Sequence, residues 1–174
     1  MIIVAFDPGA PTTGWCAVDA RGGKGRPVTT TFWAGGVVES QPQAIHELLA
    51  TRQRVDVERI DVVAVERLEG FAFPSKGPGI VSGLIAGSRA AGVTAAIAWS
   101  LGIRVVEMTA NTWRRLVLGR PAATDALIAN VIPRLVHGWP KRSNVHVRDA
   151  GGLALGVAWH LGGHVERAPV SIGK

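Results

Sequence analysis

Unbroken apolar runs alternate along this chain with stretches whose apolar positions fall at helical spacing. Residues 2–6 are wholly apolar, which predicts a central strand covered on both faces, and Asp7-Pro8-Gly9 ends it as a turn. Residues 14–19 read as the returning strand of a hairpin, 20–27 as a charged glycine-rich loop, and 28–39, rich in Thr, Val, Phe and Trp, as a third strand. Ala44, Ile45, Leu48 and Leu49 share one face of a helix over 43–55. Residues 61–66 form a second apolar strand that closes on an acid, Glu66. A Gly/Pro/Lys loop over 70–79 leads into a long helix over 81–100. There Gly83, Gly87 and Gly92 each cost about 1 kcal/mol of intrinsic helix stability relative to Ala. Such a small-sided helix suits close packing against another backbone. A third apolar strand over 103–108 precedes helices over 111–119, 124–137 and 146–161. A hairpin start followed by strand–helix–strand units predicts an α/β fold, a mixed sheet with helices on both faces.

Length and composition narrow the class. A chain of 174 residues fits one domain, taken as 1–161, with a mobile tail over 162–174 that carries little apolar pattern. Hydrophobic residues at 47% and charged residues at 18% exclude a disordered tail-like protein. The single cysteine, Cys16, excludes an internal disulfide and a cysteine-built zinc site. No apolar run is long enough to span a membrane, and the start of the chain lacks a basic signal region, so a cytoplasmic, DNA-associated setting is expected. The formal charge of +6 points to an anionic partner, nucleic acid first.

Three acids occupy chemically suggestive places. Asp7 and Glu66 end apolar strands, and the crevice beyond strand carboxyl ends is the usual ligand site of open α/β sheets. If those strands are neighbours, the two acids stand side by side. His146 and Asp149, three positions apart on the last helix, share a face that can turn to the same crevice. Clustered carboxylates repel, and a divalent cation resolves the conflict; oxygen ligands of this kind suit Mg²⁺, with Mn²⁺ able to substitute. A pair of such ions is a standard device for in-line phosphodiester cleavage. Singly, an Asp after a strand is often a turn former and a lone His a packed surface residue. The ordered set of four carries the weight.

On these residues the chain resembles the RuvC-type Holliday-junction resolvases of the RNase H-like superfamily. The likeness lies in Asp7-Pro8-Gly9 with Thr13-Gly14-Trp15, Val65-Glu66, the stretch from Gly87 to Val93, that from Thr112 to Gly119, and His146-x-x-Asp149-Ala150. The resemblance implies an RNase H-like fold, a five-stranded mixed sheet flanked by helices on both faces. It implies a homodimer that nicks two strands of a four-way junction with Mg²⁺, two ions per site, leaving 5′-phosphate and 3′-hydroxyl. It implies that Asp7 bridges both ions, Glu66 binds one, Asp149 completes the other, and His146 fills a fourth position held by His or Asp in the family. The family often places a Phe shortly after the catalytic Glu to wedge into the junction; here Phe71 and Phe73 are displaced and Glu69 adds negative charge.

Eight Lys/Arg against two acids between Arg104 and Arg148 hold the whole formal excess. Arg114, Arg115, Lys141 and Arg142 are the expected backbone-phosphate contacts, with Lys76, Phe71 and Phe73 as further DNA contacts. Trp15, Trp99 and Trp159 are expected in the core, and Trp139 in local packing. The function expected is a hydrolase of recombination and repair, a structure-selective endonuclease on branched DNA. The alternatives are a nuclease of the same fold on flaps or RNA–DNA hybrids, and a non-cleaving junction-binding protein. An actin-like ATPase fragment ranks low, since no second phosphate loop is visible. Nothing in the residues names a helicase partner.

Overall fold

The computed structural model describes residues 1–9, 11–22, 28–51, 59–68 and 78–162. Three strands open the fold as a meander: β1 (Ile2–Asp7), β2 (Thr12–Arg21) and β3 (Thr29–Glu39). After α1 (Pro42–Thr51) come β4 (Val62–Arg67), α2 (Pro78–Ser100) and β5 (Arg104–Thr109). The chain closes with α3 (Ala110–Leu118), α4 (Asp125–Leu135), β6 (Val136–His137) and α5 (Val145–Gly162). The sheet order is β5-β4-β1-β2-β3-β6. β1, β2 and β3 run antiparallel, β4 and β5 lie parallel on the other side of β1, and β6 pairs parallel with β3.

β1 and β4 are central and apolar because both their faces are covered. Ile3 and Ala5 join a core with Trp113, Ile132, Leu153 and Val157 on the side of α3, α4 and α5. Val4, Phe6, Val63 and Val65 join Ile45, Leu48, Leu49 and Ala98 on the side of α1 and α2. Burying a large aliphatic side chain contributes roughly 1.5–3 kcal/mol, so these two layers dominate stability. α5 is buried on all sides from Ala150 to Ala158 and lies across β1 and β2. Its glycines permit this: a Cβ at Gly152 would strike the Trp113 ring, and one at Gly156 would sit 2.8 Å from Trp113 Cβ.

Several expectations need correction. The sheet has six strands rather than five, and the helix expected over 124–137 stops at Leu135. Val136 turns extended (φ −108°, ψ 112°), buries its β-branched side chain, and pairs with Thr30, while His137 pairs with Thr31. Gly138, at φ 74°, then reverses the chain. Trp99 is 63% exposed rather than core. α2 meets the sheet through its small residues Ala91, Ala95 and Ala98, which leaves the bulky neighbour facing outward. Trp15 is buried as expected, and Trp159 is partly buried against the α5 side of the core. Of the tail expected over 162–174, Gly162 instead ends α5, and the rest lies outside the described residues. Among the described residues no helix is long and apolar enough to cross a membrane.

The contrast between two helix glycines gives a direct test. Gly152→Ala, which forces its methyl into Trp113, is expected to lower stability by about 1–3 kcal/mol. Gly83→Ala, with nothing within 4 Å of the new methyl, is expected to be neutral or to stabilise by up to about 1 kcal/mol. Thermal unfolding of the two variants beside the parent checks both.

Candidate active site

Strand register places the first two acids. β1 and β4 pair in parallel from Ile3↔Val62 to Phe6↔Val65, so the next residues, Asp7 and Glu66, leave the sheet side by side at the same end. Asp7 is also paired with Gly14 of β2. α5 begins over that point. Asn144 starts the helix, its Oδ1 accepting from the His146 amide at 2.9 Å and its carbonyl from Arg148 N at 3.1 Å. The start of α5 comes so close to β2 that a Cβ on Gly14 would lie 2.5 Å from His146 Cβ. Glycine there lets His146 reach Asp7, with Nδ1 2.9 Å from Oδ2. Asp149 follows one helical turn later; its Oδ1 is buried and has no hydrogen-bond partner among the described residues.

α3 contributes two groups from the other side. β5 pairs with β4 through Glu66↔Met108 and Arg67↔Thr109, so α3 starts beside Glu66. Thr109 caps it, its hydroxyl accepting from Thr112 N at 3.3 Å. Trp113 Nε1 donates to Glu66 Oε2 at 2.9 Å from a fully buried ring. Arg114 lies over that ring, 5.2 Å from its centroid, within the range of a cation–π contact.

The electrostatics follow from crowding. Burial, and then the charge of Asp7, push the Glu66 carboxyl up to about 7; the Trp113 hydrogen bond and Arg114 oppose this. Burial, and then Asp7, push Asp149 up to about 6, against the pull of Arg114. Burial raises Asp7 as well, opposed by its hydrogen bond and attraction to His146 and by Arg114. The guanidinium of Arg114 therefore acts on all three carboxylates at once. Its Nε is buried and has no hydrogen-bond partner among the described residues. The four expected side chains share one neighbourhood, and Asp7 and His146 are joined by a hydrogen bond. Among the described residues no three of them close into a ready-made ion cage. The donor set nevertheless fits a hard divalent cation: three carboxylates that burial penalises, one carrying an orphaned oxygen.

The remaining expected residues fall in three places. Arg115 is exposed on α3, next to the site helix face that carries Arg114. Lys141 and Arg142 are exposed in the segment between β6 and α5. That segment is pinned by Trp139, whose ring packs edge-on to Phe32 at 5.1 Å and whose Nε1 donates to Ser143 Oγ at 3.1 Å. Arg148 adds a bond from Nη1 to the Ser143 carbonyl at 3.3 Å. Lys76, Phe71 and Phe73 lie outside the described residues. Trp113 was not anticipated as a site residue, since a tryptophan on an apolar helix face reads as core. Arg114 was anticipated only as a phosphate contact.

A family model described as crossover junction endodeoxyribonuclease RuvC matches residues 3–158. No curated protein matches the chain. Among solved structures, Thermus thermophilus RuvC is similar at 19% identity, over 94% of this chain and 97% of that one, with a TM-score of 0.64. T. thermophilus RuvC in complex with Holliday junction substrate is similar at 18% identity, over 92% and 96%, with a TM-score of 0.66. The fowlpox virus Holliday junction resolvase is similar at 13% identity, over 92% and 99%, with a TM-score of 0.53. At these identities the structural likeness speaks to the fold.

The raised carboxylates make stability depend on pH. Glu66 titrates at about 7 when folded against an ordinary 4.5. The folded state then holds the proton more tightly, so its contribution is favourable below 4.5 and is lost as pH climbs toward 7. Metal-free protein is expected to lose thermal stability between pH 5 and about 8. Glu66→Gln is expected to flatten that loss, with a gain on the order of 2 kcal/mol at the alkaline end. Melting curves across that range, with chelator present, check this.

Proposed function

The chain belongs to the RuvC family of crossover junction endodeoxyribonucleases, hydrolases of DNA phosphodiester bonds, and from that premise we propose that it resolves four-way junctions by paired nicking. The observation that carries the reading is the convergence of Asp7, Glu66, His146 and Asp149 where β1 and β4 end beneath the start of α5. RuvC-like resolvases depend on divalent metal, and we assign the ligand set here to Asp7, Glu66, His146 and Asp149. Mg²⁺ is the ion we expect, two per site, with Mn²⁺ substituting. When bound, the ions would supply an activated water and neutralise charge on the leaving 3′ oxygen, so that the products carry 5′-phosphate and 3′-hydroxyl.

The chain's own groups supply the rest. Asp7 holds the His146 ring through Nδ1, which leaves Nε2 as the nitrogen available to an ion. Arg114 offsets carboxylate repulsion before any cation arrives. Arg115, Lys141 and Arg142 present charge outward to the DNA backbone, on a segment that Trp139 and Arg148 hold in shape. Lys76, Phe71 and Phe73 belong to the same DNA surface in this reading.

Paired nicking needs two centres, and we assign dimerisation to the outer face of α2. Ile85 and Trp99 are 50% and 63% exposed there, with exposed Gly92 and Ala96 between them. Small residues flanked by large apolar ones allow close helix–helix approach across a two-fold axis. A cytoplasmic, DNA-associated setting accords with this work.

Four outcomes are expected. Asp7→Asn abolishes nicking of a synthetic four-way junction while folding and junction binding persist; an unimpaired variant removes the nuclease reading. Activity on four-way junctions exceeds that on flaps, RNA–DNA hybrids and linear duplex at fixed salt; the reverse order favours the flap or hybrid nuclease. Lys141→Ala and Arg142→Ala each flatten the log–log salt dependence of binding by about 0.9. For the dimer, Trp99→Glu gives a monomer mass in light scattering and unpaired nicks.

A further inference from the structure

Trp113 performs a task that packing alone does not require. Its ring is fully buried, wedged against Gly152 and Gly156 of α5, with Arg114 over its face. A phenyl or aliphatic side chain would fill most of that space, but the indole brings a donor that must find an acceptor in the core. The acceptor is Glu66 Oε2, on a strand 47 residues away, at 2.9 Å. Glu66 is itself buried, 7% exposed as a residue, so water competes little for this bond.

We propose that Trp113 is a positioning residue: its N–H holds Oε2 of Glu66 and fixes the carboxylate's rotation, so that Oε1 is the oxygen offered to a divalent cation. This rests on the metal reading of the site. An indole suits the task. It donates and cannot accept, so the bond has one polarity. It is neutral, so it orients the acid without adding positive charge that would repel the ion. Its position is rigid, because the ring is trapped between α5 glycines and the helix start is capped by Thr109. Groups that hold metal ligands from behind change metal affinity by about 10–100-fold when lost.

The test removes the donor and keeps the ring. Trp113→3-benzothienylalanine replaces N–H by sulfur at nearly constant shape, and Trp113→Phe is the simpler companion. Calorimetric titration with Mn²⁺ is expected to show a Kd about 10–100-fold higher in the isostere than in the parent, at a temperature where both are fully folded. In the parent, the ¹⁵N-labelled indole N–H resonance of Trp113 is expected to move during Mg²⁺ titration with the midpoint of ion binding. Normal Mn²⁺ binding by the parent with an equal Kd in the isostere, or an indole resonance that stays still through the titration, overturns the proposal and leaves Trp113 a core residue. A parent that binds no Mn²⁺ overturns the metal reading and this one with it.

Discussion

Three carboxylates crowded together and largely shielded from water are the constraint around which the rest of this structure is arranged. Each is raised by burial, and Glu66 and Asp149 are raised further by Asp7. A free chain would relieve that repulsion by moving apart. Here it cannot, because Asp7 and Glu66 are fixed by strands buried on both faces and Asp149 by a helix sunk into the core. The hydrophobic layers thus do more than stabilise: they hold like charges in a geometry that the charges themselves oppose. Arg114 and the Asp7–His146 pair soften the conflict without removing it.

Much of this was readable from residue pattern. The apolar runs ending in Asp7 and Glu66 marked central strands and their carboxyl ends, and the parallel pairing of β1 with β4 brings those ends together. The spacing of His146 and Asp149 marked one helix face. Family resemblance tied the four into one set. The strand count fell short because β6 is two residues long and follows a helical pattern without a break; only the tertiary demand for Val136 in the core pulls it extended. Trp99 misled because size alone says nothing about which side of a helix meets the sheet, and α2 docks through alanines.

The close approaches were least legible. Gly14 looks like any strand glycine until α5 is placed on it, and Gly152 and Gly156 look like helix weaknesses until the Trp113 ring is seen against them. In each case the missing side chain makes room for a group remote in sequence. The same holds for the Trp113–Glu66 bond, since no local pattern announces which acceptor a buried indole will find. The basic residues follow the opposite logic. Arg115, Lys141 and Arg142 stay exposed, and their place in the fold follows from the elements that carry them.

α5 has one more implication, which concerns time rather than space. It is the last element among the described residues, yet it supplies His146 and Asp149 and fills the layer against β1 and β2. Translation delivers β1 with Asp7 before β4 with Glu66, and α5 with His146 and Asp149 after both. A nascent chain therefore brings the four side chains together only once this helix has emerged and docked.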